Sequence, residues 1–288
     1  MPVTAMPNTI ICGIDRSTHA RAAARFAGAL ARRLGLPLQL VHVVDEDRPS
    51  ASRTRLEVLR SVMGDEVDLA DVAIRLDSGA TAERLAAAAH GAEMLVVGTR
   101  GEGAIRQTLL GSVSGALTRA PSCPVVVVPP RAVERSEALL AGRCVVSGVR
   151  DRRDIGTAYE AARIAQRLGL ALTLAHVLPA SPPAALGPPP DALLIGAAED
   201  AELAEELLND VARSISVNVP GDHEICVLKG ATGLELECLA DARHAAIVAV
   251  GSSERSPLDA ALTGAASRHL MRRSRRPVMI CPTRNPAR

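Results

Sequence analysis

Short apolar runs alternate along the chain with longer stretches of helical periodicity. Runs such as Val125–Val128 show no alternation of apolar and polar positions, which favours strands covered on both faces. Residues 17–35 instead place Phe26, Leu30 and other apolar side chains on one helical face. Ser17 is the predicted N-cap of this helix and Gly35 its predicted C-cap. Strand–helix–strand order of this kind predicts an α/β fold with a doubly wound parallel sheet.

The pattern occurs twice. Five segments of the first half recur in the second half in the same order, which indicates a duplicated domain. We predict one domain over residues 1–134 and a second over residues 141–288, each with its own sheet of about five parallel strands. The matched positions are Gly13 and Gly148, His42 and His176, Gly79 and Gly230, Gly98 and Gly251, and Pro124 and Pro277.

The second copy contains an insertion. The separation between partners rises from 134 residues at His42 and His176 to 153 at Gly98 and Gly251. The insertion therefore follows the second strand of the second copy, near residues 179–200. Its proline-rich part, residues 179–190, is interpreted as an extended surface loop.

Composition excludes several functional classes. The formal net charge is +1, and Phe26 and Tyr159 are the only aromatic residues, so neither a basic excess nor stacking rings support nucleic-acid binding. Lys229 is the only lysine, which rules out a Walker-type phosphate lysine and makes Schiff-base chemistry a poor hypothesis. The arginine-rich residues 268–276 are interpreted as a solvated helix face, with a nucleic-acid patch as the alternative.

Cysteine and histidine usage indicates no metal or disulfide chemistry. The six cysteines form no C-x-x-C pair and are interpreted as reduced, mostly buried thiols. His42 and His176 occupy matched strand positions and are interpreted as structural rather than catalytic. The sequence lacks both a long apolar stretch and a signal peptide at its start, so we expect a cytoplasmic protein without a membrane partner.

Candidate chemistry is concentrated after the fourth strand of the first copy. Gly98 and Gly101 allow a tight turn close to a ligand, and Gly111 with Ser112 opens a second helix. The N–H groups and dipole of that helix would form an anion site without a lysine. Glycines alone are weak signals and could merely turn the chain, but the long spacing Gly-x2-Gly-x9-Gly-Ser is more specific.

This spacing resembles the nucleotide-binding signature of the universal stress protein family, and the resemblance extends over both copies. It implies two tandem Rossmann-like domains, with ATP or another adenine nucleotide, with or without Mg²⁺, bound in the first. By position, Asp15 and Val43 would line the nucleoside, whereas the remaining site residues would surround the phosphates. Those residues are Gly98, Gly101, Gly111, Ser112, Val113 and Ser114. The resemblance also implies that the copies pair through their last strands, as in a homodimer.

The second copy departs from the signature. Arg150 stands where the first copy has Asp15, and Glu254 and Ala265 replace the second glycine and the phosphate-binding serine. A carboxylate near the expected phosphates would repel them. A degenerate site retained for packing is the favoured interpretation, and a site for a less charged ligand is the alternative.

The resulting hypothesis is a stress-response module in which nucleotide binding changes a surface read by a protein partner as yet unidentified. Two alternatives stay open. One is a slow ATPase or phosphotransferase, although Asp15 and Glu102 are the only evident carboxylates for metal-assisted transfer. The other is a nucleotide-free structural or interaction protein. The two copies are expected to pair within one chain, and a homodimer of the whole chain is a further open alternative.

Overall fold

The computed structural model describes residues 7–44, 72–99, 111–119, 121–129, 140–180, 191–221, 223–252 and 264–282. Over the described residues of the first copy, five strands alternate with three helices. They are β1 (Ile10–Ile14), α1 (Thr18–Leu34), β2 (Leu38–Val44), β3 (Val72–Ser78), α2 (Thr81–Ala89), β4 (Met94–Gly98), α3 (Ser112–Leu117) and β5 (Val125–Val128).

The described residues of the second copy follow the same order and include a long helix between the second and third strands. A 3₁₀ turn at Arg152–Asp154 precedes its first α-helix. The elements are β6 (Cys144–Gly148), α4 (Ile155–Leu168), β7 (Ala171–Leu178), α5 (Asp191–Ser216), β8 (His223–Lys229), α6 (Thr232–Ala242), β9 (Ala245–Gly251), α7 (Ala265–Arg273) and β10 (Val278–Cys281).

The ten strands form one sheet, in the order β3-β2-β1-β4-β5-β10-β9-β6-β7-β8. Pairing is parallel within each copy, as predicted. The copies meet through β5 and β10, which pair antiparallel with Val126 opposite Met279, so the predicted pairing of the last strands is confirmed. The expectation of two separate sheets is wrong at this seam, because the backbone hydrogen bonds of β5 and β10 merge both halves.

Helices cover both faces of the sheet, as a doubly wound fold requires. Alternate residues of β1 point to opposite faces: Cys12 joins the cluster beneath α1, α4 and α5, and Ile11 joins the cluster beneath α2, α6 and α7. Alanines on α1 let it lie close to the sheet, with Phe26 fully buried. Both predicted caps are confirmed, because Ser17 Oγ accepts from Ala20 N at 3.1 Å and Gly35 adopts φ 63°.

Ion pairs also join the two copies. Glu93, just before β4, contacts the guanidinium groups of Arg163 and Arg167 on α4, and its side chain is only 8 % exposed. Arg33 of α1 donates to the backbone oxygen of Leu168 at 3.2 Å. The seam therefore combines backbone pairing with a partly buried charge cluster.

The predicted insertion contains a helix that was not identified. Helix α5 begins at Asp191, directly after the proline-rich residues 179–190 that are predicted to be an extended loop. The rest of the proline-rich stretch, residues 181–190, lies outside the described residues, as do the predicted domain boundary and Gly101. Along the described residues, no helix is long and apolar enough to cross a membrane.

Candidate functional site

The chain changes direction across the sheet between β1 and β4. These neighbouring strands pair in parallel, but the chain reaches β2 on one side of β1 and β4 on the other. Ligands of open α/β sheets bind beyond the carboxyl ends of the strands at such a switch point. Asp15 follows β1, Val43 lies near the end of β2, and Gly98 ends β4. Three of the predicted site residues therefore come from this edge of the sheet.

Asp15 shapes the turn from β1 into α1. Its Oδ1 accepts a hydrogen bond from the backbone N–H of Ser17 at 2.8 Å, and the side chain is half-buried. Ser17 in turn caps α1. The carboxylate is thus held at the carboxyl edge of β1, where it could accept further hydrogen bonds from a ligand.

Gly98 has a packing role that its place in the motif did not reveal. A Cβ at this position would lie 2.7 Å from the backbone carbon and oxygen of His19, in the first turn of α1. Only glycine allows β4 to approach α1 so closely.

Thr99 begins the loop that follows and Gly111 ends it. The Gly111 N–H donates to the Thr99 carbonyl at 2.8 Å, which brings the start of α3 beside the end of β4. Thr99 is 2 % exposed, and its Oγ1 has no hydrogen-bond partner among the described residues. A buried hydroxyl without a partner is energetically costly.

The two serines of α3 have different environments. Ser112, the first helical residue, is exposed at the helix start. Ser114 is buried, and its hydroxyl lies 3.1 Å from the Thr99 carbonyl and 3.2 Å from that of Gly111, to which it can donate. Val113 packs partly against the core. Ser112 is therefore the hydroxyl best placed for a ligand, whereas Ser114 holds the loop ends together.

The second copy fills the same region with an ion pair. Arg150 stands at the position of Asp15 and donates to Asp154 from Nε at 3.0 Å, from Nη2 at 2.9 Å and from its backbone N–H at 2.9 Å. The Asp154 side chain is fully buried, and these hydrogen bonds raise the already high pKa of Arg150. A Cβ on Gly251 would lie 2.6 Å from Asp154 Oδ1, so this glycine makes room for the pair.

Sequence reasoning missed both Thr99 and Asp154. The signal for Asp154 was present, because an arginine four residues before an aspartate can pair with it near a helix start. Burial of that aspartate could not be read from the sequence. The two histidines make matched hydrogen bonds, as structural residues would: His42 Nδ1 lies 2.9 Å from the Ile14 carbonyl and His176 Nδ1 lies 2.8 Å from that of Val149.

A metal ion held by the protein alone would need several ligating side chains close together, and the described residues do not provide them. Within the described ranges, no cluster of three or more histidine, cysteine or acidic residues could hold a metal ion. Of the two carboxylates considered for metal-assisted transfer, Asp15 lies at the edge described above and Glu102 lies outside the described residues.

Comparison with known proteins places the chain in a family. The profile of the universal stress protein family matches residues 6–129 and 156–282, one segment in each copy. A universal stress protein of Thermus aquaticus is 35 % identical over 136 residues, which cover 43 % of this chain and 99 % of that protein. One of Mycobacterium tuberculosis is 30 % identical over 138 residues, 41 % of this chain and 47 % of the relative, so the chain spans about half of its length.

A solved structure extends the likeness to both copies. The universal stress protein from Archaeoglobus fulgidus covers 97 % of this chain and 100 % of its own, with a TM-score of 0.65 and 16 % identity. At that identity the likeness concerns the fold. The family profile, matched once in each five-stranded half, shows that the chain belongs to the universal stress protein family.

Proposed function

We propose that this protein binds an adenine nucleotide, ATP in the first instance, in its first copy and acts as a regulatory module rather than an enzyme. The observation that carries the proposal is the hydrogen bond between Gly111 N–H and the Thr99 carbonyl. It closes a glycine-rich loop at the switch point and presents the start of α3 there. Together with the signature spacing, this arrangement supports an anion site built from backbone N–H groups.

The predicted site residues divide into three roles. Asp15 and Val43 face the nucleoside, with the carboxylate accepting from ribose hydroxyls. Gly98 and Gly101 keep the loop backbone accessible. The start of α3 then supplies donors to the phosphates: backbone N–H groups after Gly111, together with the exposed Ser112 hydroxyl. Val113 contributes its backbone N–H, and Ser114 supports the site by tying Gly111 to Thr99.

Nucleotide binding is restricted to the first copy in this proposal. In the second copy, the Arg150–Asp154 pair occupies the region equivalent to that in which Asp15 of the first copy would contact the nucleoside. Ala265 has no hydroxyl to offer a phosphate. A nucleotide bound in the second copy would have to displace the buried Asp154 carboxylate and so break the three hydrogen bonds that Arg150 donates to it. In this proposal only the first copy responds to the nucleotide, and the second copy keeps the same structure with or without it.

Scanning calorimetry with ATP tests the proposal. A nucleotide at a hundred times its dissociation constant should stabilise the first copy by about 2.7 kcal/mol if only the native state binds it. Ser112→Ala should weaken ATP binding by about 1–3 kcal/mol by removing a charge-assisted hydrogen bond. Ala265→Ser, the matched change in the second copy, should have no effect. A protein that no adenine nucleotide stabilises would be a structural or interaction module.

Phosphate release separates binding from catalysis. A regulatory module should keep ATP intact over many hours, whereas an ATPase or phosphotransferase would release or transfer phosphate at a steady rate. Loss of that turnover in both Ser112→Ala and Asp15→Asn, with binding retained, would favour the enzyme. Mass spectrometry of molecules released on denaturation would identify the nucleotide carried by the purified protein.

A further inference from the structure

A groove lies between α6 and α7 of the second copy. It encloses about 530 Å³ and runs from Ala265, at the start of α7, to the last turn of that helix. Its lining combines cationic, apolar and paired polar side chains. They are Leu234 and Glu237 from α6, and Arg268, His269, Arg272 and Arg273 from α7.

The three arginines give the groove a positive wall. Arg268 and Arg272 are one helical turn apart on α7, and Arg273 is adjacent to them. Over the part of the chain that the structure describes, none of the three forms a salt bridge, in contrast to Arg276, which pairs with Asp241 at 3.3 Å. Guanidinium groups without carboxylate partners are suited to binding carboxylates in pairs of parallel hydrogen bonds.

A hydrogen-bonded pair of side chains, His269 and Glu237, lies at the base of the groove. His269 Nε2 donates to Glu237 Oε2 at 2.9 Å, which directs the carboxylate toward the histidine. A Cβ on Gly233 would lie 2.6 Å from the His269 Cβ, so the histidine packs directly on the backbone of α6. Close packing and a hydrogen bond hold the side chains between the two helices in place.

The first copy retains only one of the three groove arginines, because Arg119 aligns with Arg272 when Gly111 is matched to Gly264. Alignment of the two copies at Gly111 and Gly264 places Gly115 and Ala116 where the second copy has Arg268 and His269. Alignment at Gly79 and Gly230 places Ala82 and Ala86 opposite Gly233 and Glu237. Four coordinated differences therefore separate the grooved copy from the copy with the nucleotide signature.

We propose that this groove binds an acidic, leucine-bearing peptide segment of a partner protein. Carboxylates of the segment would pair with Arg268, Arg272 and Arg273, and an apolar side chain would cover Leu234, which is 47 % exposed. A nucleic acid fits less well, because the groove contains the acidic Glu237, and its one ring, the imidazole of His269, is hydrogen-bonded to that carboxylate and packed against Gly233. The proposal is independent of nucleotide binding in the first copy.

Fluorescence anisotropy of a short labelled peptide of alternating glutamate and leucine tests the groove. The wild-type protein should bind this peptide, and rising NaCl should weaken the complex. The double variant Arg268→Gln/Arg272→Gln should weaken binding about tenfold or more through lost charge-assisted hydrogen bonds. Arg275→Gln, an exposed arginine of the same segment that does not line the groove, should leave binding unchanged.

Three outcomes would overturn the proposal. The first is no binding of the acidic peptide by the folded wild-type protein, with folding checked by circular dichroism. The second is equal loss in Arg275→Gln and in the groove variant, which would show a diffuse charge effect. The third is preference for a single-stranded oligonucleotide over the peptide, lost in the same groove variant, which would make the surface a nucleic-acid site.

Discussion

Arg150→Ala should destabilise the second copy more than Asp154→Ala, although each change removes one half of the same ion pair. The two partners differ in burial: the Asp154 side chain is 0 % exposed, whereas that of Arg150 is 37 % exposed. Removing the arginine leaves a carboxylate sealed from water without its partner. Removing the aspartate leaves a guanidinium that can turn toward solvent.

The magnitudes follow from this difference. Breaking a buried pair so that one charge stays uncompensated costs about 3–5 kcal/mol, which is the expectation for Arg150→Ala. For Asp154→Ala the loss is limited to the hydrogen bonds from Arg150, partly replaced by water, and we expect about 1–3 kcal/mol. The double variant should be more stable than Arg150→Ala alone, because no buried charge is left over.

Tyr159 provides the assay. It is the only tyrosine of a chain without tryptophan, and it lies on α4 directly after the ion pair. Tyrosine fluorescence during urea unfolding therefore reports on the second copy, even if the two copies unfold in separate steps. A free energy of unfolding that falls equally in both single variants, or more in Asp154→Ala, would refute the proposed burial of Asp154 and its role in closing the second site.

Further expectations concern the seam, the thiols and the close approach of β4. Glu93→Gln should weaken the contact with Arg163 and Arg167 by about 1–3 kcal/mol and separate the unfolding steps of the two copies in calorimetry; a single unchanged transition would contradict this. Burial raises the pKa of Cys123 from 9.0 to about 12, so the folded state keeps the proton where the unfolded thiol ionises. The contribution of Cys123 to stability should be complete below pH 9 and fall by about 1.4 kcal/mol per pH unit from there to about pH 12, so urea titrations of Cys123→Ala should show a shallower fall than wild type over that range. Gly98→Ala should destabilise the first copy by about 1–3 kcal/mol, because its Cβ would clash with the His19 backbone, and no change in calorimetry would refute that close approach.

Much of the fold could be predicted because local pattern and tertiary environment agree. Buried strands such as Val125–Val128 are continuous apolar runs, and the ends of α1 follow from the capping chemistry of Ser17 and the left-handed Gly35. The duplication placed equivalent strands in both copies. The long helix α5 was not predicted, because the prolines just before it favour an extended loop. Its own alanine, leucine and glutamate content favours a helix.

The site was harder to predict in detail, for physical reasons. A motif identifies which residues lie in the loop but not which of them are buried, so the different environments of Ser112 and Ser114 became visible only in the structure. Likewise, the sequence showed Arg150 in place of Asp15 without showing that Asp154 is its buried partner. Such pairings depend on how a strand end and a helix start meet in three dimensions.

Isothermal titration with ATP tests the central claim, that one copy binds nucleotide and the other does not, most directly. Gly111 and Gly264 have nearly the same extended backbone, φ −64° and −51°, so a valine would cause no backbone strain at either helix start. Wild type and Gly264→Val should each bind one ATP per chain, and Gly111→Val should bind none, because the valine side chain would obstruct the phosphates. Two ATP molecules per wild-type chain, or equal losses in both variants, would contradict the account.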